Sequence, residues 1–344
     1  MLLNRIEMIL AVFLIYTYSL FIYSFINRKS YKCNIFLLFL FLLVTAISRP
    51  ETMLDYQDYK IAFELESQRM EPTFLFLSLF IKSFFSGSFI ILVIIYALLG
   101  ISLKIWIIHK CSISFWLSIL VYISNFYLLH DLIQIRVSVS AALFLIALYY
   151  YNYGEKWKVF CLILLSILFH YSSIILLFIF LVRKNKINKP LYILIIVGSY
   201  FLSFMHLGIP LILANINMDI VQKAFIAYEN NIYVSTFTLN IFNIIQLLRI
   251  CIAFLLLSKI GLLKTYPMVI LFLKVYIYSI ACYALFSEMP VIAVRISELL
   301  GVVEIMLLPF LALCFRPKKI GNLMVVTFSL LLLFMNVFHN NLIR

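Results

Sequence analysis

The chain has 344 residues, of which 65% are hydrophobic and 12% charged, and its formal net charge is +13. A soluble domain has roughly 45 to 50% apolar and 25% charged residues, so this composition excludes a soluble protein and indicates a multi-spanning membrane protein. The basic residues lie in short segments beside apolar runs, which is typical of membrane topology and argues against nucleic-acid binding.

Apolar runs of the length of membrane helices recur along the whole chain. Because they do not alternate like barrel strands, we predict an all-α polytopic membrane protein, with about ten transmembrane helices in a single domain over residues 1–344. The first run ends in Arg28 and Lys29 without a cleavage pattern, so we expect a span rather than a signal peptide. The predicted spans are Ile6–Ile26, Ile35–Ile47, Phe89–Ile108, Ile113–Leu129, Ile133–Tyr153, Leu191–Leu213, Phe237–Ser258, Met268–Phe286, Arg295–Phe315 and Ile320–Phe338.

Charged residues divide between two sets of predicted loops. Basic loops are expected to face the cytoplasm, and acidic residues occupy the outer loops, at about 49–71, 130–136, 214–236 and 287–295. The basic clusters lie at Arg28–Lys32, Lys104–Lys110, Lys156–Lys158, Arg183–Lys189, Lys259–Lys264 and Arg316–Lys319.

Two apolar stretches do not fit a single helix that crosses the membrane. Lys158 and Arg183 cannot both face the cytoplasm if Val159–Val182 is one spanning helix, so we predict two half-helices that turn back at Phe169–Ser173. Pro72–Phe85 is predicted to be re-entrant or interfacial; the alternative is a true span, which would place Lys110 outside.

The first outer loop has aromatic residues at helical spacing. Tyr56, Tyr59 and Phe63 alternate with acidic residues, a pattern that predicts a short interfacial helix in Asp55–Gln68. Its aromatic rings would either anchor the helix at the lipid headgroups or contact substrate.

Three ionisable side chains from separate segments are predicted to meet near the outer face: Arg136, His170 and Arg295. Such groups within membrane segments usually face a polar cavity and carry function. Arginine suits phosphate oxygens, and histidine can take a proton from an attacking hydroxyl. Together they predict displacement of a diphosphate from one sugar by the hydroxyl of another.

Each of these residues also has a structural interpretation. Arg136 would be an interface anchor, His170 would bond to Ser166, Ser172 or Ser173, and Arg295 would pair with Glu298 one turn away.

Arg249 lies deep within its predicted span, on a polar side shared with Asn243 and Gln246. It is expected either to line the cavity or to neutralise another buried charge such as Glu304.

Other motifs are missing from the sequence. The six cysteines have no paired spacing and no nearby histidine cluster, so neither disulfides, nor a metal site, nor a cofactor is predicted. Without a glycine-rich phosphate loop, nucleotide hydrolysis is not indicated, and lipid-linked donors remain as the energy source. No individual role is predicted for His109, His130, His206 or His339.

Five segments follow one another along the chain: Asp55-Tyr56-Gln57-Asp58-Tyr59, Glu71-Pro72-Thr73-Phe74, Arg136 with the small-residue helix after it, Phe169-His170-Tyr171-Ser172-Ser173, and Arg295. This ordered set resembles the EpsG family of Wzy-type polysaccharide polymerases. The chain departs from the family pattern at Val137, where glutamine often follows the arginine, and at Thr73, where glycine often follows Glu-Pro.

The resemblance implies a fold similar to the GT-C-type lipid-dependent glycosyltransferases. It implies an enzyme of the bacterial inner membrane that joins oligosaccharide units carried on undecaprenyl diphosphate, without a metal, at the periplasmic or outer face. The growing chain passes to a new lipid-linked unit, and undecaprenyl diphosphate is released. A chain-length regulator and a flippase are the implied protein partners.

The resemblance also implies residue roles. Arg136 and Arg295 would hold the diphosphate, and His170 would be the base or would position the acceptor. Asp58 and Glu71 would order the outer loop. The expected substrate contacts are Arg249, Asp58, Glu71, Tyr59, Gln134 and Tyr171.

Two other functions fit the composition. A glycosyltransferase using a polyprenyl-phosphate sugar would draw on acidic residues and a metal, for which Glu51, Asp55 and Asp58 are available. A flippase or transporter of lipid-linked oligosaccharide would also need a basic cavity, although it would more naturally show two matching halves, and no internal repeat is evident.

Overall fold

The computed structural model describes residues 31–67, 70–85, 87–184, 186–209 and 239–340, together with residues 19 and 342. Within these residues the secondary structure is helical and contains no strand, which confirms the all-α prediction. The α-helices are α1 (Tyr31–Ile47), α2 (Tyr56–Glu64), α3 (Pro72–Phe84), α4 (Phe89–Cys111), α5 (Phe115–Val121), α6 (Ile135–Tyr153), α7 (Lys156–Phe169), α8 (Lys189–Phe204), α9 (Ile244–Ser258), α10 (Ile260–Leu263), α11 (Pro267–Leu285), α12 (Pro290–Gly301), α13 (Glu304–Leu307), α14 (Leu311–Cys314) and α15 (Lys318–Phe334).

Several helical segments have π or 3₁₀ geometry. The π-helices Tyr122–Ile133 and Met335–His339 continue α5 and α15, and the 3₁₀ helices are Tyr171–Leu181 and Leu308–Phe310. Long π and 3₁₀ stretches are uncommon and often occur at functional or strained places.

Six helical segments of the described chain are long and apolar enough to cross a membrane. They coincide with six of the predicted spans: Phe89–Cys111, Phe115–Ile133, Ile135–Tyr153, Met268–Leu285, Pro290–Cys314 and Lys318–Phe338. The predicted spans Ile35–Ile47, Leu191–Leu213 and Phe237–Ser258 correspond to the shorter helices α1, α8 and α9. Ile6–Ile26 lies outside the described residues. The structure therefore supports a membrane-embedded protein with six such spans among the described residues, and the other four of the predicted ten stay predictions.

Helix α3 is too short for the alternative that makes it a true span. It has 13 residues, which give a length of about 20 Å at 1.5 Å per residue. The hydrocarbon core of a bilayer is about 30 Å thick. The length therefore favours the re-entrant or interfacial interpretation.

The predicted helix break at Phe169–Ser173 is confirmed. Helix α7 ends at Phe169, His170 has an extended backbone (φ −156°, ψ 114°), and the 3₁₀ helix begins at Tyr171. Every third residue from Ser173 through Leu176 and Ile179 is buried, as expected for a helix with three residues per turn. That the two halves turn back toward the same side stays a prediction.

The outer loops agree with the structure in part. The first contains α2, which confirms the short helix expected there. The loop predicted at 130–136 is wrong, because the π-helix runs to Ile133 and α6 begins at Ile135. Helix α12 begins at Pro290, within the loop predicted at 287–295. The loop at 214–236 lies outside the described residues.

The chain divides into two compact units, Met1–Ile174 with Leu308–Arg344, and Ile175–Leu307. In the first unit, α6 packs between α4 and α7, α1 packs on α4, and α14 packs on α15. In the second unit, α11 packs on α8, α9 and α12.

Candidate functional site

A buried aromatic cluster in the first unit forms the frame of the candidate site. Its rings contact one another in sequence from α2 through α3 and α4 to the end of α7. Ring centroids are 6.1 Å apart for Tyr59 and Phe74, 6.4 Å for Phe74 and Tyr96, and 5.9 Å for Tyr96 and Phe169. Aromatic packing of this kind fixes the relative positions of the helices that carry it.

The candidate site residues are adjacent in sequence to members of this cluster. Arg136 follows the buried Ile135, and His170 follows Phe169. Glu71 lies three residues before Phe74, at the start of α3. Packing of the apolar neighbours therefore determines where each charged side chain lies.

Glu71 connects the two predicted catalytic residues of this unit. Its carboxylate Oε1 lies 3.1 Å from Nδ1 of His170, and its Oε2 accepts a hydrogen bond from Nη1 of Arg136. The Glu71 side chain is only 3% exposed, compared with 20% for Arg136 and 10% for His170. The structure thus places Arg136 and His170 on one buried carboxylate, although they are 65 and 99 residues from it in sequence.

This arrangement fixes the tautomer of His170. Burial by itself raises the pKa of the Glu71 carboxyl, but the hydrogen bond from His170 and the charge of Arg136 outweigh it, and the pKa lies below its usual value. An ionised carboxylate only accepts hydrogen bonds, so Nδ1 of His170 carries the proton. In the neutral imidazole, Nε2 is then the basic nitrogen.

The start of α3 holds Glu71 next to His170. Glu71 directly precedes Pro72, which is suited to the first turn of a helix. A carboxylate at this position is also stabilised by the positive end of the helix dipole. The Thr73 hydroxyl donates to the carbonyl of Leu168 at 2.8 Å, which joins α3 to the end of α7.

Three buried serines stabilise the chain on both sides of the break at His170. The Ser140 hydroxyl on α6 is hydrogen-bonded to Ser166 at 2.7 Å and to Ser173. The backbone N–H of His170 donates to the carbonyl of Ser166 at 2.9 Å. The ring of His170 contacts Glu71 and has no hydrogen bond to Ser166, Ser172 or Ser173, so the interpretation that it bonds to one of these serines is wrong.

Tyr59 lies against Arg136. The guanidinium carbon is 5.1 Å from the centroid of the Tyr59 ring, within the range of a cation–π contact. Burial raises the pKa of Tyr59, while the charge of Arg136 opposes this change. Contacts with both Tyr59 and Glu71 show that Arg136 is more than an interface anchor.

The other predicted substrate contacts of this unit lie close in sequence to the residues of the site. Asp58 is exposed on α2, and Tyr171 is 52% exposed at the start of the 3₁₀ helix. Gln134 is half-buried at the junction between the π-helix and α6. Their binding roles stay predictions.

In the second unit, Arg249 neutralises Glu304. Nε and Nη2 of Arg249 donate to the two carboxylate oxygens of Glu304 at 2.7 and 3.2 Å. Of the two interpretations of Arg249, the structure shows the charge pair. Arg295 is exposed on α12, one turn before Glu298, and its pairing with Glu298 stays a prediction. That Arg295 joins Arg136 and His170 stays a prediction.

A second buried ion pair lies in the first unit, formed by Lys104 and Asp131. Both side chains are fully buried and 2.7 Å apart. Tyr122 donates to the same carboxylate oxygen at 2.9 Å, and Ser138 donates to the other at 2.6 Å. Lys104 was predicted to mark a cytoplasmic loop and Asp131 an outer one; both assignments are wrong, because the two charges pair inside the helix bundle.

Among the residues that the structure describes, no group of three His, Cys, Asp or Glu side chains could hold a metal ion. None of the six cysteines, all within the described ranges, forms a disulfide.

A histidine and an arginine held by one buried carboxylate in a helical membrane protein form a candidate functional site, because ionisable groups in membrane proteins usually carry function. The family model described as the EpsG family matches residues 32–343, nearly the whole chain. This protein therefore belongs to the EpsG family, whose members resemble Wzy-type polymerases. The family suggests a membrane polysaccharide polymerase of the glycosyltransferase kind. No curated protein and no solved structure matches the chain.

Proposed function

We propose that this protein joins oligosaccharide repeat units carried on undecaprenyl diphosphate into a longer glycan, at the outer face of the bacterial inner membrane. The observation that carries the proposal is the shared contact of Glu71 with Arg136 and His170 in a member of the EpsG family. The three side chains provide an oriented base next to a permanent positive charge.

His170 is the general base of the proposed reaction. Glu71 occupies its Nδ1, so Nε2 is available to an acceptor hydroxyl. The hydroxyl oxygen attacks the anomeric carbon of the growing chain while its proton moves to Nε2. A new glycosidic C–O bond forms, and the C–O bond to the diphosphate breaks. A positioned base of this kind contributes about 10²- to 10⁴-fold to the rate.

Arg136 stabilises the leaving group. The departing undecaprenyl diphosphate takes the electron pair of the broken bond, and a guanidinium offers it charge and two parallel donors. In a crevice of low dielectric constant this stabilisation is much larger than in water. Arg136 remains 20% exposed while paired with Glu71, so part of it is accessible to a ligand.

Reconstitution with purified lipid-linked repeat units tests the proposal. We expect a ladder of longer glycans together with free undecaprenyl diphosphate. Relocation of unchanged lipid across the bilayer would favour a flippase, and chelator-sensitive addition of a single sugar would favour the polyprenyl-phosphate glycosyltransferase. The proposed reaction requires no metal, so we expect a chelator to leave the ladder unchanged.

Variants of the three proposed catalytic residues complete this test. Arg136→Ala, His170→Ala and Arg295→Ala should each abolish the ladder at normal expression. Arg316→Ala is the matched control, because Arg316 is exposed and lies in a predicted cytoplasmic loop. Full activity of all three variants would contradict the proposed site.

A further inference from the structure

Arg49 is a buried arginine close to the candidate site. It lies between α1 and α2, is 7% exposed, and its guanidinium carbon is 5.5 Å from the centroid of the Tyr56 ring. Its Nη1 donates to the carbonyl of Leu132 at 2.7 Å, at the end of the π-helix. One nitrogen of the side chain therefore holds Arg49 against the backbone.

The other two nitrogens of Arg49 have no partner. Nε and Nη2 are buried without a hydrogen bond, and Arg49 forms no ion pair within the described part of the chain. The carboxylate of Asp131 is already paired with Lys104. Burial lowers the pKa of the Arg49 guanidinium, against the opposing influence of Tyr59, Tyr56, Tyr127 and Asp131. A buried charge in this condition is costly unless a ligand satisfies it.

Arg49 and Arg136 lie against the same face of α2. Tyr56 and Tyr59 are one turn apart and both buried, and each has one of the two arginines over its ring. Arg136 also has a buried Nε without a partner. Glu71 pairs with Arg136 and Asp131 pairs with Lys104, so neither of these two carboxylates is paired with Arg49.

We propose that Arg49 and Arg136 together form a binding site for a diphosphate group, with Nε and Nη2 of Arg49 supplying two of the donors. A diphosphate has several negative oxygens, and two guanidinium groups match them better than one. The identification of this group as the polyprenyl diphosphate of the substrate rests on the proposed function. The anion site itself does not depend on it.

Titration of the purified protein with inorganic pyrophosphate tests the site directly. We expect saturable binding to the wild-type protein, at least about tenfold weaker binding to Arg49→Gln, and intermediate binding to Arg49→Lys. Lysine keeps the charge but loses the planar fork. Arg316→Gln is the matched control and should bind as the wild type does.

The outcomes separate this site from the proposed function. No binding by the wild-type protein, or equal binding by Arg49→Lys and wild type, would overturn the site, even if Arg49→Gln failed to fold. Polyprenyl diphosphate should displace pyrophosphate more strongly than polyprenyl monophosphate does; failure to displace it would overturn the assignment to the lipid-linked substrate. Arg49-dependent binding in a protein that forms no ladder would leave the anion site standing and refute the polymerase.

Discussion

Two buried ion clusters in the first unit have similar chemistry and different accessibility. In the cluster around Asp131, the side chains of Lys104 and Asp131 are 0% exposed. The hydroxyls of Tyr122 and Ser138 also donate hydrogen bonds to the Asp131 carboxylate. Around Glu71, Arg136 is 20% and His170 10% exposed. Nε2 of His170 is not used in the contact with Glu71.

The comparison shows what distinguishes a structural ion pair from a candidate site. A buried pair must recover the cost of leaving water, and the Asp131 cluster does so through a complete set of partners. Glu71 orients Arg136 and His170 but leaves polar atoms of both side chains unused, namely Nε of Arg136 and Nε2 of His170. Those remaining atoms, rather than burial or charge alone, indicate a place for a ligand.

His170→Gln should have the largest effect on function. The glutamine amide can donate to Glu71, but it has no basic nitrogen, so we expect the polymerisation rate to fall about 10²- to 10⁴-fold. The initial rate of ladder formation measures this, and the thermal midpoint should change little. A rate within a factor of two of the wild type would mean that His170 is not the base.

Lys104→Met should reduce stability rather than act on catalysis directly, because it removes one partner of the fully buried pair with Asp131. Leaving Asp131 charged and buried should destabilise the protein by about 3 to 5 kcal/mol. The double variant Lys104→Met with Asp131→Leu should recover most of this loss. Denaturation in detergent compares the three proteins. A double variant no more stable than Lys104→Met would show that the loss does not come from leaving Asp131 unpaired.

Gly100→Ala should destabilise the same cluster by a smaller amount. A Cβ at Gly100 would lie 2.0 Å from Oγ of Ser138 and 2.8 Å from Oδ1 of Asp131. Since both groups are fixed by hydrogen bonds, we expect a loss of about 1 to 3 kcal/mol. Gly198→Ala is the control, because a Cβ there meets nothing within 4 Å. Equal thermal midpoints for the two variants would contradict this packing.

The smallest expected effect is the loss of thermal stability that acid causes at the Glu71 cluster. The folded-state pKa of Glu71 is below its usual value of 4.5. Its contribution to stability is therefore complete above that value and is lost as pH falls through the folded-state pKa. We expect the wild type to lose more thermal stability than Glu71→Gln between roughly pH 5 and pH 3. The reverse order would show that Glu71 is not stabilised as a carboxylate.

The sequence predicted much of the fold where the signal is local. Long apolar runs identified the six spans, and the polar patch at Phe169–Ser173 identified the helix break. It also singled out Arg136 and His170, and it offered the charge pair between Arg249 and Glu304 as one of two interpretations. Each of these features depends on composition within one segment or on an ionisable residue that apolar surroundings make conspicuous.

The rest depends on contacts between distant segments. Glu71 was expected to order a loop, and its position between Arg136 and His170 follows from packing across 65 and 99 residues. Lys104 was expected to mark a loop because it stands near Lys110, and its partner Asp131, 27 residues away, gives no local signal. Arg49 was missed, although an arginine directly before Pro50 at the end of an apolar run was a signal.

A double-mutant cycle between Glu71 and His170 tests the central claim most directly. Initial rates of diphosphate release should be measured for wild type, Glu71→Gln, His170→Gln and the double variant. If Glu71 acts on catalysis by orienting His170, the double variant should be no slower than His170→Gln alone. Rate losses that multiply independently would contradict this account, because Glu71 would then act apart from His170.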